Sequence, residues 1–182
     1  LKVHPGLSLA EFEAMADEAN RLGIAFAGHV PEDVGLERAI HLGIETVDHL
    51  DGYIDYMGAA DSPVTDGQLQ DAVALTRDHD VWVVPTQALW ETLIGAADHD
   101  ELRSFEESKY MPPSVRAGWE RFLTNQAQTG YYAGEHARVH AENRQKLLKA
   151  LQDGGVRILM GTDAPQLFSV PGLALHRELP KM

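Results

Sequence analysis

Residues 24–50, IAFAGHVPEDVGLERAIHLGIETVDHL, decide the fold. Two short apolar runs, residues 24–30 and 44–50, lack the strict alternation of a half-buried strand and suit strands covered on both faces of a parallel sheet. Between them, residues 35–42 read as a short helix that closes at Gly43. Strand, helix and strand at this spacing make a βαβ unit, and both strands end in a histidine, His29 and His49.

The same grammar repeats outward from this unit. Upstream, Ser8 with Glu11 three residues later is a capping box. Phe12, Met15, Ala16, Ala19 and Leu22 then recur at helical spacing as far as Gly23, which predicts a helix over residues 9–22. Ahead of it, Leu1-Lys2-Val3-His4 reads as the end of another strand, and no methionine precedes it. Downstream, residues 68–79 read as a helix and residues 81–86 as a third buried strand. Residues 87–130 then form a long insertion with helical patches near 101–107 and 114–125, parted by Pro112-Pro113. Connections of this length are usually lids or binding loops, a plain structural insertion being the alternative. A helix over residues 134–152, with Glu142 and Lys146 at stabilising spacing, stops at Gly154-Gly155 and feeds a strand at residues 156–161. Thr162, Asp163 and Ala164 follow that strand. Alternating strands and helices predict an α/β protein with a parallel sheet, and no linker or repeat divides residues 1–182 into more than one domain.

Composition narrows the partners. The 28 acidic residues outnumber the 15 basic ones, a net charge of -13 that repels phosphate backbones, so no nucleic-acid partner is expected. An apolar content of 44% is that of a globular protein. No run approaches the length of a membrane span and no secretory leader is visible, so a soluble chain without a membrane partner is expected, in the cytoplasm or secreted. There is no cysteine. Thiolate metal sites and disulfides are thereby excluded, and any transition metal must rest on histidine and carboxylate.

Lys2, His29, His49 and Asp163 all stand at strand ends, which in a barrel of parallel strands share one face. Each alone has a bland explanation: a hydrogen-bonded structural histidine, a turn-capping aspartate, a solvated lysine. Together they offer two imidazoles and a carboxylate, suited to zinc, manganese or iron in a hydrolytic site. His4 and Thr86, also at strand ends, could touch substrate or serve structure equally well. Tyr53 and Tyr56, after His49, could bind a substrate carboxylate, but packing is the first reading. His136 and His140 are four apart on a helix, yet lack the glutamate that zinc proteases place after the first histidine, so a solvated face is the better reading.

The Lys2-Val3-His4, Gly28-His29-Val30-Pro31, Val47-Asp48-His49-Leu50 and Gly161-Thr162-Asp163-Ala164 segments together resemble successive strand ends of the amidohydrolase superfamily. The closest branch is that of prolidase-like and imidazolonepropionase-like proteins, and the likeness extends to the tail at residues 175–179. The resemblance implies a partial TIM-type (β/α)8 barrel covering about strands 4 to 8. It implies hydrolysis of carbon-nitrogen bonds in a small amide-type substrate by metal-activated hydroxide. Lys2 would be the carboxylated lysine that bridges two metals, His29 and His49 would hold the second metal, zinc foremost, and Asp163 would contact the metal and move the proton. The family's His-x-His pair on the first strand has no counterpart here, so the site is expected to be incomplete and the chain a fragment. The alternative is a non-catalytic metal- or ligand-binding barrel remnant that self-associates as a homo-oligomer through unpaired edges. Another barrel or doubly wound enzyme is a third reading, disfavoured because no Gly-x-Gly-x-x-Gly turn follows any strand.

Overall fold

Helix α1 (Leu9–Leu22) begins and ends where the sequence dictates. The Ser8 hydroxyl accepts from the Glu11 N–H, the Glu11 carboxylate accepts the Ser8 N–H at 2.9 Å, and Gly23 closes the helix at φ +66°. Orphan donors at one end and orphan carbonyls at the other are thus satisfied locally. Phe12, Ala16 and Ala19 turn inward at helical spacing, whereas Leu22, expected on the same face, is 52% exposed.

The computed structural model describes residues 1–126 and 134–182. They form two compact units, Leu1–Pro85 with Asn143–Leu159, and Thr86–Glu142 with Met160–Met182. The first contains a five-stranded parallel sheet of β1 (Lys2–Val3), β2 (Ala27–Gly28), β3 (Thr46–Asp48), β4 (Trp82–Val84) and β5 (Arg157–Ile158), in the order β1-β2-β3-β4-β5. This is the α/β architecture expected, compatible with part of a TIM-type barrel. The strands are shorter than the apolar runs that announced them. In residues 24–30 only Ala27 and Gly28 join the ladder, although Phe26 and Val30 are buried. The run encodes burial rather than pairing, and Gly28, at φ +128°, leaves extended geometry directly before His29.

Helices α2 (Leu36–His41), α3 (Tyr53–Tyr56) and α4 (Asp66–Asp78) follow β2 and β3 along the chain. Thr65 and Gln68 form a second capping box at the start of α4. The core of this unit joins Val3, Val47 and Val83 from the sheet to Phe12 on α1, with Phe26 edge-on to Phe12 at 5.9 Å.

In the second unit the expected irregular insertion is mostly helical: α5 (Gln87–Leu93), α6 (His99–Ser104), a 3-10 turn at Glu106–Tyr110 and α7 (Pro113–Gln126). The Asp98 side chain caps α6 by accepting from the N–H groups of Asp100 and Glu101 at 2.8 and 3.0 Å. Proline at the first position of α7 starts that helix, because its missing N–H is an orphan there anyway. Residues 127–130, the end of the expected insertion, lie outside the described residues. Helix α8 (Glu135–Asp153) begins in this unit and ends in the first, and α9 (Leu175–Glu178) lies near the C-terminus. Leu102, Trp119, Leu123, Phe168 and Val170 form the unit's own core, with Trp119 and Phe168 5.1 Å apart. Among the described residues no helix is long and apolar enough to cross a membrane.

Candidate active site

Parallel register fixes where the strand-end side chains emerge. Val3 pairs with Gly28 and Gly28 with Val47, so His4 and His29 come one step beyond that row and His49 two steps. The rings meet past the ladder, where Gly28 and His49, the latter at φ +62°, have left extended geometry. His29 and His49 lie 4.5 Å apart between ring centroids, and His4 lies 5.4 Å from His29 on the other side. Three imidazoles thus form a row across the ends of β1, β2 and β3.

Asp51 orients the middle ring. Its Oδ2 lies 2.7 Å from His29 Nδ1, and both side chains are largely buried. An ionised carboxylate can only accept, so facing one Nδ1 is the donor, and in the neutral ring Nε2 then keeps its lone pair. Metal-binding histidines typically present one nitrogen in this way while the other is held by a carboxylate. Two neutral imidazoles so arranged suit a borderline divalent ion. Among the described residues, however, no three His, Asp or Glu side chains are grouped to hold a metal ion.

Beside this row the Lys2 ammonium is ion-paired with Asp48, half-exposed against a largely buried carboxylate. A protonated amine has no lone pair to give a metal, so in this state Lys2 is a counter-ion rather than a ligand. His49 itself is buried at 4% exposure, and its main chain is held on both sides. Its N–H donates to the Val84 carbonyl at 2.7 Å, and its carbonyl accepts from Arg144 Nη1 at 2.8 Å.

The other candidates have settings of their own. Tyr53 is fully buried in α3, where its hydroxyl bonds Thr76 Oγ1 at 2.7 Å and burial pushes its pKa well above the usual phenol range. This favours packing over substrate contact, and the tyrosine stands in a short helix rather than the loop expected. Tyr56, at the other end of α3, is 36% exposed. Thr86 is 1% exposed at φ +44°, immediately before α5. Asp163 belongs to the second unit, where its exposed carboxylate accepts from Gln166 Nε2 at 2.5 Å and its backbone takes φ +52°. His136 is exposed as expected, but His140 stacks on Trp90 at 6.2 Å instead of facing solvent. The second unit also holds a cavity of about 580 Å³, lined in part by Phe105, Thr162, Phe168, Arg177 and Lys181. At its wall the buried Glu178 carboxylate accepts the N–H groups of Gln87 and Ala88, both at 2.8 Å.

Sequence reasoning missed Asp51, Asp48 and Arg144. Asp51 lies two residues past His49 and could have been flagged as an acid directly after a strand end. Arg144 gave no signal, being one of several basic residues on a long charged helix.

The profile of the Amidohydrolase family matches residues 1–179, and the chain belongs to that family. Members of this family generally use divalent metals. Among solved structures the chain is similar to a bottromycin amidohydrolase, at 26% identity and TM-score 0.70, covering 99% of this chain and 40% of that one. It is also similar to a Xaa-Pro dipeptidase with bound methionine in its active site, at 16% identity and TM-score 0.50, covering 98% and 33%. An A. niger ochratoxinase matches at 16% identity and TM-score 0.50, covering 96% and 28%. At those identities the last two speak to fold alone. The chain therefore spans two fifths or less of the length of these relatives. No protein among those with curated function matches the sequence.

Proposed function

We propose that the chain carries the second half of the catalytic barrel of a metal-dependent hydrolase of carbon-nitrogen bonds, strands β1 to β5 being barrel strands 4 to 8. The observation that carries this is the His29–His49 pair at 4.5 Å, with His29 Nδ1 anchored on Asp51. In this reading His29 and His49 hold a divalent ion, zinc foremost, and Lys2 joins them once carboxylated. The metal, when bound, supplies an activated water and polarises the substrate carbonyl. Asp163 takes a proton from the attacking water on a carboxylate oxygen and delivers it to the leaving nitrogen, serving first as base and then as acid. The substrate is a small amide, cyclic amide or peptide-like molecule, by analogy with the bottromycin amidohydrolase.

Elemental analysis of the purified protein, beside a His29→Ala, His49→Ala double variant, tests the assignment. Stoichiometric zinc, manganese or iron in the parent that vanishes in the variant supports it; equal metal in both refutes it. A second reading has its own support, because β1 and β5 each have one neighbour among the described strands and so present unpaired edges. In that reading the chain is a non-catalytic barrel portion that self-associates. A concentration-dependent dimer in sedimentation, without bound metal, would favour it.

A further inference from the structure

Arg144 is 3% exposed, a rare position for an arginine, and lies on the part of α8 that belongs to the first unit. Its guanidinium spans two strand ends: Nη1 donates to the His49 carbonyl at 2.8 Å and Nη2 to the Pro85 carbonyl at 3.1 Å. His49 and Leu50 both occupy positive φ, at +62° and +57°, without being glycine. Two consecutive residues in the left-handed region persist only where the surroundings over-determine them. Here the His49 N–H is tied to Val84, the strand residue before Pro85, so β3 and β4 are joined past their last ladder pair by one backbone bond and one side-chain fork.

We propose that Arg144 is the positioning residue of the candidate metal centre, fixing the direction in which the His49 imidazole leaves the sheet by clamping the His49 and Pro85 carbonyls together. The inference rests on the reading of His29 and His49 as metal ligands for its functional consequence, but its structural content stands on the hydrogen bonds alone. The clamp needs a planar donor with two diverging N–H groups. Lysine presents a single ammonium on a flexible stem and cannot reproduce the fork, even though it keeps the charge. Neighbours that orient a ligating histidine typically change metal affinity by about 10- to 100-fold when removed.

The test uses Arg144→Lys and Arg144→Gln in the protein, with two readouts. Backbone amide exchange is followed at residues 48–51, with the amides of α1 as internal control, and zinc affinity is measured by competition with a chromophoric chelator. The expected result is faster exchange at residues 48–51 with α1 unchanged, and zinc affinity lowered by about 10- to 100-fold in both variants. Unchanged exchange at residues 48–51 in Arg144→Lys overturns the clamp. Faster exchange with unchanged zinc affinity overturns its role at the metal centre while leaving the metal reading intact. If the parent binds no zinc, the metal reading fails instead, and the exchange data alone decide whether Arg144 holds His49. Should Arg144→Gln unfold, Arg144→Lys carries both readouts; general loss of protection including α1 in both variants would show a fold-wide role and overturn the local one.

Discussion

Replacing Gly28 by alanine probes how closely β1 and β2 approach beneath the imidazole row. At φ +128° an L side chain is strained, and an added Cβ would stand 2.6 Å from the Val3 carbonyl oxygen and 3.0 Å from both Val3 N and Lys2 Cδ. The end of Lys2 can swing aside. The Val3 carbonyl, which accepts the His29 N–H at 3.2 Å, can move only by opening the β1–β2 pair. Backbone strain of this kind costs about 2 kcal/mol and forcing a methyl group onto backbone a further 1–3 kcal/mol or so, giving roughly 3–5 kcal/mol. At about 2–4 °C per kcal/mol for a chain of this size, the melting midpoint should fall by about 6–20 °C. Thermal melts of Gly28→Ala and the parent, followed by far-ultraviolet circular dichroism in the same buffer, measure this directly. A variant melting within about 1 °C of the parent would refute both the close approach and the argument that glycine is required before His29.

In the intact enzyme, Asp163→Asn should retain metal in elemental analysis yet lose turnover of an amide substrate, and normal turnover in that variant would sink the proton-transfer role. Ser8→Ala removes the hydroxyl that caps α1 and should cost about 1 kcal/mol, read as a melting midpoint lower by about 2–4 °C. Burial pushes the Glu107 carboxyl up, but its backbone hydrogen bond and the ion pair with Arg177 outweigh this and hold it below its ordinary value of 4.5. Because the folded value is the lower one, the stability it contributes is present above pH 4.5 and is lost as pH falls through the depressed value. Melting midpoints taken from about pH 5 down to pH 3 should therefore fall less steeply in Glu107→Gln than in the parent, and identical slopes would contradict the assignment.

Legibility in the sequence followed the range of the interactions involved. Helix α1 could be bounded at both ends because Ser8, Glu11 and Gly23 act within one turn of the residues they cap. The strands were placed but drawn too long, since apolar runs report burial while pairing depends on a neighbour's register. Between residues 87 and 126 the reading saw too little helix. Thr86 makes no side-chain cap of its own at the start of α5, whose first N–H groups go to Glu178 some ninety positions on, and Pro112-Pro113, taken as a separator, in fact opens α7. His29 and His49 were found because both end strands, and the sheet does bring their rings together. The pairings that shape them were out of reach, even where the residue itself could have been flagged: Asp51 meets His29 from 22 positions away, Asp48 meets Lys2 from 46, and Arg144 meets His49 from 95. Asp163, recognised by its Gly-Thr-Asp setting, stands in the second unit with Gln166.

The order β1-β2-β3-β4-β5 makes every strand the neighbour of its immediate predecessor along the chain. During synthesis each strand from β2 on emerges after the strand it pairs with, and the row His4, His29, His49 with its Asp51 partner is fully encoded by residue 51. The guanidinium that clamps His49 arrives more than ninety residues later. Nascent chains stalled before residue 144 should therefore carry the imidazoles on a turn that lacks its Arg144 clamp.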